Sequence, residues 1–151
     1  APLVSALQAA RGVSLVVAVT VLAELGDLSR FKKPSQLMAY LGLIPSEHSS
    51  GPNIKRGAIT KTENGHVRKA LVEAAWAYRM QARVSRLLLK RQQGVPQQIC
   101  RIAWKAQLRL CARFRRLAAK GKPKQKVVTA IARELSAFLW AMAKQVQPTP
   151  V

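Results

Sequence analysis

A serine-containing turn followed by many cations is the part of this chain best suited to chemistry. The run Ser49-Ser50-Gly51 precedes a strongly basic stretch. A hydroxyl becomes an effective nucleophile when a base removes its proton and cations stabilise the charge that develops on a phosphate. Ser50 is the candidate nucleophile. The residues that we expect to contact phosphate are Lys55, Arg56, Lys61, His66, Arg68 and Lys69.

The residues alone leave the role of each group open. Serine also suits turns and helix caps, so Ser50 taken by itself is more often structural. His48 and His66 could exchange protons with it, and His66 is explained equally well as a phosphate donor or as a plain surface histidine. The density of positive charge favours phosphate contact over an idle solvated face for the basic residues of this stretch.

The charge of the chain indicates a polyanionic partner. Its 151 residues include 26 Lys and Arg but 6 Asp and Glu, which gives a formal net charge of +20. Such an imbalance opposes compaction and is typical of proteins that bind nucleic acid, with an anionic membrane surface as the second choice. The longest uncharged apolar run, residues 13–23, is about half of the roughly 20 residues that a spanning helix needs. The membrane interpretation is therefore the weaker one.

Few residues are available as metal ligands. The 6 carboxylates are scattered along the chain, whereas a two-metal nuclease needs several that converge on one pocket. We therefore expect no metal or other cofactor to be bound by this chain itself. If Cys100 and Cys111 share a helix, they lie about 16 Å apart along its axis, which is too far for a disulfide. We expect both to be reduced packing thiols, and a zinc site is not indicated.

Two short helices with glycine ends are predicted in the N-terminal third. Residues 13–25 are apolar and end at Gly26, which suits a helix C-cap. Pro34 opens a second helix that ends at Gly42. Together the two resemble a helix–hairpin–helix unit, which grips a phosphate through backbone amides. The following residues, 43–65, are interrupted by several Gly and Pro and predict a long basic loop.

Three longer helices are predicted after the loop. Apolar residues recur at helical spacing on one face of each. Their bounds are 66–91, 97–119 and 127–144, with a basic turn at 120–126. The prediction is a mainly α-helical domain with a helix–hairpin–helix-like N-terminal part, a long basic loop and three longer helices.

The middle helix, 97–119, repeats a cation every four residues. The basic ridge so formed consists of Arg101, Lys105, Arg109 and Arg113. Like charges at this spacing repel, so the ridge costs helix stability unless an anion lies against it. We expect nucleic acid to bind there. Trp76, Trp104 and Trp140 fall on the apolar faces of the predicted helices, which favours core packing over base stacking.

Several separate motifs resemble one known family. They are ELGDLSRF at 24–31, QLMAYLGLIPSEHSSG at 36–51, RGAITKTENGHVRKALVEAAW at 56–76, AWKAQLRL at 103–110 and VVTAIARELSAFLWAM at 127–142. In this order they are similar to the C-terminal transposase domain of DEDD-type insertion-sequence transposases. The resemblance extends over residues 10–145 and implies a single C-terminal domain at 1–151.

The resemblance implies a chemistry for Ser50. In that family a serine directly before a glycine attacks a DNA phosphodiester and becomes covalently joined to it. An N-terminal RuvC-like nuclease domain, absent from this chain, holds Mg²⁺ on four acidic residues. Some members are guided by a structured bridge RNA. The implied partners are DNA, a guide RNA, the nuclease domain and further copies in a homo-oligomer, and the implied location is the bacterial cytoplasm, associated with DNA.

One position departs from the family pattern, and two other functions stay open. The family usually has Lys-Thr-Gly-Asn where this chain has Glu63 in place of the glycine, which restricts the backbone and adds a negative charge. The competing hypothesis is a non-catalytic architectural module that binds DNA or RNA. A basic peripheral membrane protein is the third. A covalent protein–DNA adduct would separate the first two, because both predict salt-sensitive binding.

Overall fold

The computed structural model describes residues 2–43 and 65–146, and all regular structure in these ranges is helical. The α-helices are α1 (Pro2–Gln8), α2 (Leu15–Leu25), α3 (Pro34–Tyr40), α4 (Gly65–Ala75), α5 (Arg86–Gln92), α6 (Gln97–Ala119) and α7 (Lys124–Lys144). Short 3-10 helices lie at Leu28–Arg30 and Trp76–Arg79. The prediction of a mainly α-helical fold is confirmed.

The segment that contains the candidate nucleophile is not among the described residues. Ser50 and three of the predicted phosphate contacts, Lys55, Arg56 and Lys61, fall between positions 44 and 64. The predicted long basic loop and Glu63 lie in the same interval. The predictions for these residues therefore stay predictions.

The two predicted N-terminal helices are confirmed. Ser14 caps α2 by accepting a hydrogen bond from the Val17 amide at 3.3 Å, which is the usual role of an N-cap serine. Pro34 is the first residue of α3, where its fixed backbone angle suits a helix start. Helix α1 was not predicted. It has 7 residues, a length at which helices depend on tertiary packing more than on sequence propensity.

The prediction of one helix at 66–91 is wrong. The chain leaves α-helical geometry after α4, passes through the 3-10 helix Trp76–Arg79 and a non-helical segment at 80–85, and enters α5. Ser85 caps this new helix by accepting from the Leu88 amide at 3.1 Å. Residues 66–91 contain neither Gly nor Pro, so the sequence carries no breaker at this point.

Long-range hydrogen bonds explain the break. The Tyr78 hydroxyl donates to the Arg11 carbonyl at 2.6 Å, and Arg11 Nη1 donates to the Gln81 carbonyl at 2.6 Å. Arg11 Nη1 also donates to Gln107 Oε1 at 2.8 Å, and the Arg83 amide donates to the same oxygen at 2.8 Å. Backbone groups that a continuous helix would pair internally are thus paired with distant residues. We call these five residues the Arg11 network.

Gly12 allows the turn before α2 to touch the end of α4. Its φ is +83°, and a Cβ placed there would lie 2.5 Å from the Ala74 carbonyl oxygen and 2.9 Å from Ala77 Cβ. Real Cβ atoms do not approach a backbone oxygen so closely, and a positive φ already disfavours other residues. The close packing of these two elements therefore requires glycine.

Helices α6 and α7 form the centre of the core. The predicted bounds of α6 are confirmed, whereas α7 begins at Lys124 rather than 127, so the basic turn covers 120–123. Pro123 precedes α7 and directs the chain into the helix. Helix α7 packs against α1, α3, α4 and α6. Its fully buried side chains include Ile131, Leu135, Leu139 and Met142.

Two of the three tryptophans pack as predicted. Trp76 and Trp140 are partly buried against the core, and Trp140 Nε1 donates to the Phe31 carbonyl at 2.8 Å. Trp104 is 39% exposed on α6, so its predicted core position is wrong. Cys100 and Cys111 are both free thiols, as predicted.

Candidate nucleic-acid interface

Two of the three predicted phosphate contacts on α4, His66 and Lys69, share one face of the helix, whereas Arg68 lies on another. His66 Nδ1 lies 3.7 Å from Glu24 Oε1 on α2, and its side chain is 87% exposed. Arg68 Nη1 donates to the Leu41 carbonyl at 3.5 Å, beyond the end of α3, and burial lowers the pKa of Arg68. Lys69 is exposed. Residues three apart on a helix lie on the same face, and residues two apart point in nearly opposite directions, so Arg68 points away from His66.

Arg68 therefore has a structural contact as well as a predicted functional one. The carbonyl that it meets belongs to the turn after α3, where unpaired carbonyl oxygens and the helix dipole favour a cation. Only part of its side chain remains available to a phosphate because the residue is half-buried. His66 and Lys69 keep most of their surface in solvent.

The basic ridge of α6 is divided by a carboxylate from α7. Arg109 Nε contacts Glu134 Oε1 in a short ion pair, and Arg113 Nε lies 2.6 Å from Glu134 Oε2. The Glu134 side chain is 14% exposed and that of Arg113 is 23% exposed. The anion that the spacing of the ridge requires is thus supplied in part by the protein itself. Arg101 and Lys105 are exposed.

An aromatic side chain lies beside Arg101 and Lys105, which form the outer half of the ridge. Trp104 lies between Arg101 and Lys105 in sequence, and Leu108, one turn further on, is 50% exposed. Exposed aromatic rings beside cations are the arrangement by which proteins stack unpaired bases while neutralising phosphates. Sequence periodicity assigned Trp104 to the core because its position borders the apolar stripe that includes Ala103 and Gln107.

The Arg11 network is the main feature that sequence reasoning missed. Tyr78 is fully buried, and burial raises the pKa of its hydroxyl. Burial likewise raises the pKa of the Cys111 thiol, which lies 3.9 Å from Arg11 Nη1. Gln107 is buried within α6 and accepts two hydrogen bonds through one oxygen. A glutamine on the apolar face of α6 was the signal for this site in the sequence.

Over residues 2–43 and 65–146, no cluster of three or more His, Cys, Asp and Glu side chains is placed to hold a metal ion. The carboxylates in these ranges are Glu24, Asp27, Glu73 and Glu134. Glu134 is committed to the two arginines of α6, and Asp27 accepts from the Ser29 amide at 2.9 Å. These residues therefore do not fit a magnesium site.

The described helices also include none with both the length and the apolar character needed to cross a membrane.

The sequence matches the Transposase IS116/IS110/IS902 family over residues 4–89, more than half of the chain. A Sinorhizobium fredii protein named as transposase y4qE is 50% identical over 149 residues, which is 99% of this chain and 38% of that protein. The transposase for insertion sequence element IS1111A of Coxiella burnetii is 37% identical over 70 residues, 46% of this chain and 19% of the relative.

A third relative is a Pseudomonas aeruginosa protein named as a family 20 transposase. It is 35% identical over 71 residues, 47% of this chain and 21% of the relative. The chain thus spans well under half the length of the curated relatives that it matches. No solved structure shows significant similarity to the chain. The family match, which covers both the N-terminal helices and α4, shows that the chain belongs to the Transposase IS116/IS110/IS902 family.

Proposed function

We propose that this chain is the serine-bearing domain of a DNA transposase. Ser50 Oγ attacks a DNA phosphorus atom, the bond from that phosphorus to one sugar oxygen breaks, and the protein becomes covalently joined to the DNA. In this proposal His48 or His66 takes the hydroxyl proton as a general base, and the departing sugar oxygen receives a proton and leaves as a hydroxyl. The supporting observation is the family match, whose range of 4–89 includes position 50, in a chain with a net charge of +20.

The cations have two proposed roles. Lys55, Arg56, Lys61 and Arg68 hold phosphates close to the scissile bond, where they stabilise the charge that develops during transfer. The outer half of the ridge, Arg101 and Lys105, binds neighbouring nucleic acid. The exposure of both side chains supports this role, and Trp104 beside them provides a stacking surface.

Further components complete the proposed assembly. Catalytic Mg²⁺ belongs to a separate RuvC-like nuclease domain, since the described carboxylates of this chain do not group together. A structured guide RNA selects the DNA, and further copies of the protein hold the two DNA ends. The N-terminal unit of α2 and α3, similar to a helix–hairpin–helix, adds backbone contacts to phosphate. Isolated from these components, the domain is expected to be inactive.

The experiment compares two adjacent serines in the full-length transposase with its guide RNA. Ser50→Ala is expected to abolish the covalent protein–DNA adduct while DNA binding changes by less than about twofold, because a neutral hydroxyl adds little to affinity. Ser49→Ala is the matched control and is expected to retain the adduct. Denaturing gels with labelled DNA measure the adduct. An undiminished yield with Ser50→Ala would remove this serine from the mechanism.

The same assay tests the architectural alternative. An exposed cationic face such as that of Arg101 and Lys105 is sufficient for binding without chemistry. If the wild-type transposase forms no adduct under conditions in which it moves DNA, the chain acts as a binding module. Adduct formation that depends on Ser50 favours the enzyme.

A further inference from the structure

A groove opens where the chain breaks between α4 and α5. It has a volume of about 790 Å³, and the residues that line it include Arg11, Met80, Arg83, Leu87 and Arg91. Ligand sites are typically concave regions of this size with apolar walls and a few polar groups that converge on them. The groove exists because residues 80–85 are not helical, a break that no local sequence pattern predicts.

The charged residues that line the groove in the described part of the chain are all positive. Three arginines and no carboxylate are among its lining residues in the described part of the chain. Within that part, the side chains of Arg83 and Arg91 make no ion pair or hydrogen bond, whereas the guanidinium of Arg11 is held by Gln81 and Gln107. Guanidinium groups gathered without counter-charges attract phosphate, which they bind through two parallel hydrogen bonds.

The walls of the groove are apolar at two exposed positions. Met80 is 57% exposed and Leu87 is 60% exposed, and both line the groove. A duplex offers phosphates but keeps its base faces stacked inside, so it would leave these two side chains in water. An unpaired nucleotide offers a phosphate and a free base face together. The lining therefore suits single-stranded nucleic acid better than a duplex.

The groove is held in shape before any ligand arrives. Arg11 bonds to the Gln81 carbonyl, and Gln107 accepts from the Arg83 amide, so the non-helical segment is fixed to other elements at two of its backbone positions. Ser85, which also lines the groove, is committed to capping α5. A site built on fixed groups loses less entropy when it binds than a site that must be ordered first.

We infer that this groove binds an unpaired nucleotide of a single strand, with phosphate on Arg83 and Arg91 and the base against Met80 and Leu87. The inference rests on the proposed nucleic-acid function and extends it to a groove whose described lining residues include none of the ridge on α6. Single-stranded DNA and RNA both offer a phosphate beside a free base, so the test includes a strand of each.

The first test compares two double variants of equal charge. Arg83→Gln with Arg91→Gln removes the groove cations, and Arg86→Gln with Lys90→Gln removes two exposed cations of α5 that do not line the groove. Fluorescence anisotropy with labelled oligo-dT and oligo-U measures the Kd. We expect about tenfold weaker binding for the groove variant, as for lost charge-assisted hydrogen bonds, and about twofold for the control. Equal losses would overturn the inference.

The second test isolates the base. Met80→Ala with Leu87→Ala is expected to weaken oligo-dT binding about tenfold, because two apolar side chains lose contact with the base. Its affinity for an abasic strand of equal length, and for duplex DNA, is expected to stay unchanged. An equal loss on the abasic strand would contradict base binding. If the double substitution weakens binding of oligo-U more than binding of oligo-dT, RNA is the strand that the groove prefers. The Ser50 adduct assay is independent of both tests, so either proposal can fail alone.

Discussion

The α6–α7 pair and the segment from 76 to 92 are neighbours that are held in place by different forces. The helix pair is joined by a continuous apolar stripe and by Glu134, which meets Arg109 and Arg113. The segment is held by a few hydrogen bonds to residues far along the chain, such as that from Tyr78 to Arg11. The stability of the helix pair is therefore expected to depend mainly on buried apolar area, and that of the segment on the satisfaction of a few buried polar groups.

The two regions also present their cations differently. On α6, a carboxylate of the protein neutralises part of the ridge and leaves Arg101 and Lys105 facing solvent. In the groove, Arg83 and Arg91 have no carboxylate beside them among the described lining residues. The ridge therefore offers an open face along which several nucleotides of a nucleic acid can bind, whereas the proposed occupant of the groove is a single unpaired nucleotide.

The largest effect on stability is expected from Gly12→Ala. The new Cβ would meet the Ala74 carbonyl oxygen at 2.5 Å, and alanine also disfavours a φ of +83°. The two penalties together predict a loss of about 3 kcal/mol in the free energy of unfolding. Urea denaturation followed by circular dichroism measures it.

The matched control for Gly12→Ala is a glycine of the α6–α7 pair. Gly121, in the turn between α6 and α7, has a φ of +79° and open space around the position of a Cβ. Gly121→Ala therefore carries the backbone penalty alone and is expected to cost about 1 kcal/mol. Equal losses in the two variants would show that contact with α4 contributes nothing.

A smaller effect is expected from Glu134→Gln. The change removes two ion pairs and leaves the mostly buried Arg113 without its counter-charge, which predicts a loss of about 2 kcal/mol in the free energy of unfolding. Arg109 and Arg113 are then free to contact phosphate. The slope of log affinity for duplex DNA against log salt concentration is therefore expected to become steeper, by up to about 0.9 for each added phosphate contact. A salt dependence that stays unchanged would exclude these arginines from the DNA interface.

The smallest effect is expected from Tyr78→Phe. It deletes one buried hydroxyl and leaves the Arg11 carbonyl without its donor, for a predicted loss of about 1 kcal/mol. Hydrogen exchange is expected to accelerate more at residues 80–85 than on α6, because the Arg11 network bonds to the backbone of the segment but only to a side chain of α6. Uniform acceleration over both would mean that the two regions unfold together.

The contrast explains how far the sequence could predict the structure. The bounds of α6 followed from Pro96 before it, a regular apolar stripe inside it and a basic turn after it, all of which are local. The break after Ala75 depends on Arg11 and Gln107, which no local pattern links to residues 80–85. The exposure of Trp104 could not be predicted for a different reason: its position on the helix borders the apolar stripe, and the spacing alone does not show on which side it lies.

The candidate site likewise has features that the sequence predicts and features that only the structure shows. Its charge and its ridge were readable from composition and spacing, but the ion pairs of Glu134 join two helices and required the structure. His66 and Arg68 are two residues apart in sequence, yet the helix directs His66 toward Glu24 and Arg68 toward the Leu41 carbonyl.

The most direct test of the proposed chemistry is to identify the residue that becomes attached to DNA. The full-length transposase is incubated with its guide RNA and labelled DNA, the adduct is digested with protease and nuclease, and the modified peptide is sequenced by mass spectrometry. We predict a nucleotide on Ser50 and on no other residue. A nucleotide on a different side chain, or strand transfer without any modified peptide, would contradict the proposal.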